Sequence, residues 1–349
     1  MRFADFVSKN QIYALLAKGV DGVKIIAVNV IVARVLGPET YGKYAYVIGL
    51  ASILAIVAEF RLQSILVRKF SVSEPSGISE LFWTSAVINF LFSLLGVGFA
   101  ALYYLYEPDE VLGSALMLAM LTYLFRVPRF LRAFYVSQEK NVFVAKSELV
   151  SSVLTILLIL CAVYLGVGWE YLPSLRLLDG LLVSVSLLIV FRVAYGTFGC
   201  FSFDFSTAKS LVISSLPLVL SGVAMLLFQK MDLIMIKYYL GELQVGVYSA
   251  ASNYMMLFSL APMVVAESLG PKLFRGKYKD LLLSKKKFIS GVMLFGLLMS
   301  VLMAGTGFIL IPLLYGSMYE ESVFLNVILS FCPFLIAAGA AALGGYALG

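Results

Sequence analysis

Long apolar stretches, each able to cross a lipid bilayer as a helix, follow one another along almost the whole of this chain. They lie near 11–36, 44–66, 82–106, 110–136, 142–167, 172–195, 211–239, 244–267, 288–315 and 319–347. A crossing helix needs about 20 apolar residues, since roughly 30 Å of hydrocarbon is covered at 1.5 Å per residue. The 349 residues are 61% hydrophobic and only 13% charged, with a mean hydropathy of +0.98. Soluble domains carry about twice that charge fraction, so lipid must serve as solvent for much of the surface. The runs lack the alternation of a membrane β-barrel. A backbone that satisfies its own hydrogen bonds in lipid is then helical. The expectation is an all-α integral membrane protein of about ten transmembrane helices.

No cleavable leader is expected, because Lys18, Asp21 and Lys24 interrupt what would be its apolar region. Cys161, Cys200 and Cys332 have neither C-x-x-C nor zinc spacing and are expected to pack between helices. Arg2, Lys9, Arg68, Lys69, Arg132, Lys140, Lys146, Arg192, Lys209 and the basic run at 272–287 fall on the N-terminus and the even-numbered connections. The odd-numbered connections carry Glu39, Glu107, Asp109, Glu110, Glu170, Glu242, Glu320 and Glu321. The positive-inside rule then places the N-terminus in the cytoplasm. The net charge of +6 is a topology signal, not a nucleic-acid footprint. The run at 272–287 is expected to lie on anionic lipid through Leu281, Leu282 and Leu283. Tyr41, Tyr44, Tyr103, Tyr104, Tyr106, Tyr238, Tyr239, Tyr315 and Tyr319 crowd the acidic boundary, where an interfacial aromatic belt is expected.

The pattern L-G-x-x-x-x-G-x-Y occurs at 36–44 and again at 240–248. Both copies close the same end of a helix and lead into the next. Six helices separate them, an even number, so the repeats would be parallel about an axis along the membrane normal. That arrangement predicts an N-terminal six-helix lobe at 1–200 and a C-terminal lobe of four helices at 201–349, with a final helix pair missing through truncation or natural shortening.

Ionisable residues within membrane helices are functional candidates because each is costly unless paired or wetted. Lys18, Asp21 and Lys24 recur every three residues in the first helix, and Arg126, Arg129 and Arg132 do so in the fourth. Glu59 and Arg61 lie in the second helix, and Asp232 lies in the seventh with Lys230 and Lys237 near it. Arg176 and Asp179 have i, i+3 spacing and suit a structural salt bridge. Guanidinium groups grip phosphate through paired hydrogen bonds, so Lys18, Lys24, Arg126 and Arg129 are candidates for binding an anionic head in a shared aqueous cleft. The alternatives are a self-neutralising ion pair of Asp21 with these lysines facing another helix and, for Arg126, snorkelling to the interface. The chain contains no histidine, leaving Asp21, Glu59 and Asp232 to sense a coupling ion. There is no P-loop, dinucleotide, zinc-protease or nucleophile-elbow motif, and no catalytic residue, metal or cofactor is expected. Short loops also argue against a membrane glycosyltransferase or polymerase.

VARVLGPETYGKYAY at 32–46, AEFRLQSILVRKF at 58–70, FDFSTAKSLVISSLPLVLSG at 203–222, KMDLIMIKYYLGELQVGVYSAAS at 230–252 and IPLLYGSMYEES at 311–322 resemble the polysaccharide transporter family. These are flippases of lipid-linked oligosaccharides, related to lipid II flippases and to multidrug and toxin extrusion exporters. The resemblance implies a V-shaped, two-lobed flippase in the bacterial inner membrane. It would carry an undecaprenyl-pyrophosphate-linked O-antigen, capsule or exopolysaccharide unit to the outer leaflet by ion-coupled alternating access. Its partners would be the lipid-linked oligosaccharide, membrane lipids, and the polysaccharide polymerase and chain-length machinery, with no nucleic acid. Asp232, Glu59 and Arg68 match charged positions of the family, whereas Arg61 stands where its members commonly have glycine. The alternative is a multidrug exporter of the same fold, which the basic candidate lining disfavours for cationic drugs.

Overall fold

The computed structural model describes residues 9–72, 75–196, 201–275 and 281–346, and among them it is helical with no strand. The elements in order are α1 (Lys9–Glu59), α2 (Leu62–Val72), α3 (Pro75–Tyr106), α4 (Glu110–Leu121), α5 (Leu131–Ser137), α6 (Asn141–Tyr164), α7 (Leu172–Leu177) and α8 (Asp179–Tyr195). They continue with α9 (Phe205–Leu240), α10 (Glu242–Arg275), α11 (Leu281–Tyr315), α12 (Glu320–Leu329) and α13 (Cys332–Tyr346). Seven segments of the described residues are long and apolar enough to cross a membrane, and Glu110–Phe125 is a shorter apolar one. The first of the seven, Ile12–Val72, has 61 residues, more than twice what one crossing needs. Gly37, at φ 74° and ψ 171°, interrupts it just before Pro38. The expected helices at 11–36 and 44–66 therefore meet at a sharp glycine corner.

Several expected helices are internally broken. Phe60 and Arg61 take positive φ between α1 and α2, inside the expected 44–66 span. The expected 110–136 span divides into α4, two 3-10 turns at Thr122–Phe125 and Val127–Phe130, and α5. Pro128, which has no N–H to donate within a helical turn, gives the local reason. The 319–347 span breaks between α12 and α13 at Ser330 and Phe331.

Two compact units share the chain. The first comprises Met1–Val28 with Lys43–Gly241, the second Asn29–Gly42 with Glu242–Gly349. The first has an aromatic-rich core in which Phe134 meets Phe191 and Tyr195, each at 5.5 Å, and Phe70 at 5.9 Å. At one end its helices are joined by ion pairs: Lys43 with Asp109 at 2.8 Å and Lys237 with Glu107 at 3.1 Å. Asp109 also caps α4, accepting the Val111 and Leu112 N–H groups. Burial opposes the Asp109 carboxylate, but Lys43 and those N–H groups outweigh it and hold the carboxyl below the usual aspartate range.

The second unit contains a reciprocal backbone crossing. A Cβ on Gly42 would lie 1.8 Å from the Glu242 carbonyl oxygen, and one on Gly246 would lie 1.8 Å from that of Pro38. Gly37 and Gly241, the first glycines of the two L-G-x-x-x-x-G-x-Y stretches, have nearly the same positive φ, 74° and 84°. The second glycines let the stretches pass backbone against backbone. Elsewhere in this unit Gly296 packs against Ala337, where an added Cβ would approach to 2.3 Å. Tyr319 donates to the Ala33 carbonyl at 2.9 Å, and Asn253 donates to the Tyr41 hydroxyl at 2.9 Å.

The expected tyrosine belt is thus only partly a surface feature. Tyr41, Tyr44, Tyr315 and Tyr319 are buried in packed interiors, while Tyr104, Tyr106, Tyr238 and Tyr239 are exposed. Cys161 is exposed, not packed, and Cys332 is intermediate. Cys200 and most of the basic run at 272–287, including the side chains of Leu281, Leu282 and Leu283, lie outside the described residues.

Gly246→Ala should lower the melting temperature of purified protein by about 1–4 °C, because overpacking costs about 1–3 kcal/mol. Gly98→Ala, whose Cβ would meet nothing within 4 Å, should leave it unchanged. A carboxyl held low by folding stabilises above its ordinary pKa and loses that contribution as pH falls through its folded value. Asp109→Asn should therefore lower the melting temperature at neutral pH and flatten its fall below about pH 4.

Candidate functional site

Glu59 ends α1 and projects towards the two 3-10 turns that follow α4. Its Oε1 accepts from Arg129 at 3.0 Å and lies 3.5 Å from an Arg126 nitrogen. Neither pair is local in sequence, and both depend on the break near Pro128 that lets the turns bring two guanidiniums to one carboxylate. Arg126 is only 6% exposed. Its second terminal nitrogen donates to the Leu177 carbonyl, and its guanidinium carbon sits 4.0 Å from the centre of the Tyr123 ring. Stacking over an aromatic face suits a weakly hydrated planar cation. Gly180 on α8 makes room for it, since a Cβ there would meet Arg126 Nε at 2.6 Å.

These groups surround a chamber within the first unit. One side, of about 210 Å³, is lined by Glu59, Arg61, Gln63, Asn89, Arg126 and Arg129 among others. A neighbouring space of about 250 Å³ shares Glu59 and the three arginines and adds Ser52 and Tyr123. At ~30 Å³ per water, the first space alone holds about seven. Three guanidiniums against one carboxylate leave two positive charges in excess. Among the described residues, the buried Nε groups of Arg126 and Arg129 have no acceptor, and the buried Asn89 Oδ1 has no donor. Unmet donors in a cationic recess are what an acceptor-rich anion satisfies.

Arg61 adds to this lining at a conformational cost. Its φ is 51°, following Phe60 at 46°, and left-handed backbone costs a non-glycine residue about 1–3 kcal/mol. Gly222 on α9 leaves space for it, as a Cβ there would lie 2.9 Å from Arg61 Nε. Glycine would relieve the strain but remove the cation.

Lys24 is not brought to this chamber. It is 6% exposed, 2.6 Å from Asp21 Oδ1, and it donates to Asp179 as well. Asp179 also accepts from Ser151. Asp21, Glu148 and Asp179 place carboxylate oxygens within 4.8 Å of one another, and Arg132 pairs with Glu148 at 2.8 Å. Three carboxylates against two cations leave one negative charge in excess. The expectation that Lys24 joins the arginines in one cationic cleft is therefore corrected: a lysine held by two carboxylates has little field left to offer an anion. Lys18 is exposed. Asp232 accepts its neighbour Leu233's N–H at 2.8 Å and lines neither side of the chamber. Arg176 donates to the Tyr44 hydroxyl at 3.2 Å. Glu148 was missed in the sequence although it is an acid within an apolar helix, and Pro128 was the signal for the break between Arg126 and Arg129.

The fold is that of MATE transporters. A multidrug transporter of that class, DinF-BH, solved as a ligand complex, superposes with a TM-score of 0.63 at 15% identity, over 96% of this chain and 80% of that one. A MATE protein in the straight conformation gives 0.57 at 16% identity, covering 95% and 80%. Another in complex with MaL6 gives 0.57 at 16%, covering 97% and 82%. Residues 7–276 match the polysaccharide biosynthesis protein family, and the chain belongs to that family. Comparison with curated protein sequences finds no match. The fold is thus one shared with MATE multidrug transporters, and the seven long apolar segments of the described residues fit a multi-pass membrane protein.

Gly180→Ala should destabilise the protein by about 1–3 kcal/mol by driving the guanidinium off its seat. In an Arg126→Ala background the same change should cost much less. A double-mutant cycle of melting temperatures measures this coupling.

Proposed function

We propose that this protein flips an undecaprenyl-pyrophosphate-linked oligosaccharide from the cytoplasmic to the outer leaflet of the bacterial inner membrane. The observation that carries this reading is the chamber with two excess positive charges inside a membrane transporter fold. A diphosphate offers the charge and the many acceptor oxygens that Arg61, Arg126 and Arg129 can engage. The lipid tail would stay in the bilayer while the polar head crosses. Family membership supports polysaccharide biosynthesis as the setting, with O-antigen, capsule or exopolysaccharide units as cargo.

The mechanism proposed is alternating access between an N-terminal lobe at 1–200 and a C-terminal lobe at 201–349, with the N-terminus cytoplasmic by the charge bias of the connections. Cargo drives the change only through contacts that differ between the two states. Lys18 serves the approach of the head, and Asp21 senses the coupling ion beside Lys24. Asp232 is a second candidate sensor. Polymerase and chain-length machinery would receive the product. Export of cationic drugs is the competing reading, and a chamber of net positive charge works against it.

In cells whose surface glycan depends on this protein, Arg126→Gln with Arg129→Gln should reduce that glycan at least about tenfold at equal membrane abundance. Undiminished glycan would remove the chamber from transport. Raised resistance to cationic drugs in a sensitive host, without any effect on glycan, would favour the competing reading.

A further inference from the structure

The most informative feature of the chamber is the asymmetry between its fixed cations and its loosely held anion. Arg126 is fastened on three sides, by the Tyr123 ring, the Leu177 carbonyl and the close face of Gly180. Glu59, by contrast, is 36% exposed and is the last residue of α1, directly before the left-handed Phe60 and Arg61. The hydrogen bonds it accepts from the arginines both fall on Oε1, one of them as long as 3.5 Å. A carboxylate presenting one oxygen to two guanidiniums leaves most of their donor capacity unused, and the two buried Nε groups remain without acceptors among the described residues.

We infer that the Glu59 carboxylate is a built-in stand-in for the phosphate of the cargo, occupying the Arg126–Arg129 seat when the chamber is empty and leaving it when a diphosphate binds. The inference rests on the proposed anionic cargo. Without an internal anion the buried Arg126 and the partly buried Arg129 would share the chamber uncompensated, with the exposed Arg61 beside them, and stripping a buried charge of its partner is strongly unfavourable. With a permanently seated anion, cargo would have no seat. A weakly held carboxylate meets both demands: it offsets part of the arginines' charge and positions them, and a diphosphate outcompetes it by bringing more charge and more acceptors to the same donors. Glu59 thereby sets specificity against weak monoanions, which cannot displace it, and limits how tightly cargo is held.

The test uses the full chain in lipid nanodiscs and two probes, inorganic pyrophosphate and geranyl diphosphate, with binding followed by calorimetry. Glu59→Gln removes the charge. Glu59→Asp keeps the charge but draws the oxygen back by one methylene. Displacement predicts that both variants bind diphosphate about tenfold more tightly than the unaltered protein, and that Arg129→Gln weakens binding about tenfold. If Gln tightens binding but Asp leaves it unchanged, Glu59 acts only through its field and the inference fails. If both weaken binding, Glu59 instead positions the arginines and the inference fails in the opposite sense. If neither probe binds the unaltered protein or either Glu59 variant, the anionic-cargo reading falls as well. Tightening seen with geranyl diphosphate but not with pyrophosphate places the lipid-linked headgroup, not free phosphate, in the seat. Melting temperatures of all variants show whether each is folded.

Discussion

A single carboxylate oxygen shared by two guanidiniums organises the interior of the first unit. Charges in apolar surroundings are tolerated only when paired and hydrogen-bonded, and Glu59 with Arg126 and Arg129 meets that condition at minimal strength. The regular helix gives way at both sides of the pair. α1 ends in two left-handed residues, and the chain after α4 tightens into 3-10 turns. The break after α4 has a local cause in Pro128, whereas the left-handed Phe60 and Arg61 forgo regular backbone hydrogen bonding with no proline beside them. Both become intelligible as the means by which groups 67 and 70 residues apart reach the same oxygen.

Small residues complete the same task from neighbouring helices. Gly180 and Gly222 present bare backbone where a methyl group would strike Arg126 and Arg61. The cations are thus held by the shape of α8 and α9 as much as by opposite charge. In the second unit Gly42 and Gly246 perform a different service, allowing two backbone segments to cross in contact. Glycine in this chain marks places where something must come close, whether a guanidinium or a carbonyl oxygen.

Much of this was legible before any coordinates. Apolar runs of the right length specify helices in lipid, and the paired L-G-x-x-x-x-G-x-Y stretches announced the matching corners at Gly37 and Gly241. The individual members of the chamber, Glu59, Arg126 and Arg129, stood out as charges in apolar helices. Their partnership did not, because helical periodicity relates neighbours on one helix and says nothing of distant ones. Lys24 shows the cost of that limit. On its own helix it had one carboxylate nearby, Asp21, and so retained its charge as a lure for anions. Asp179, 155 residues away, supplies the second carboxylate and removes that role. The tyrosines erred for a related reason. Periodicity places Tyr41 and Tyr319 near a helix end, but only packing decides that they turn inward against each other at 6.2 Å.

The three arginines at 126, 129 and 132 carry the consequence furthest. On an uninterrupted helix that spacing would align them along one stripe facing one environment. The 3-10 turns and the start of α5 divide them: Arg126 and Arg129 go to Glu59, Arg132 to Glu148. One segment of seven residues, counted from Arg126 to Arg132, therefore joins a chamber with excess positive charge to a carboxylate group with excess negative charge. Glu148, which Arg132 anchors, lies against Asp21 and Asp179. The same short segment thus takes part in both charge clusters of this unit, one with positive and one with negative charge in excess.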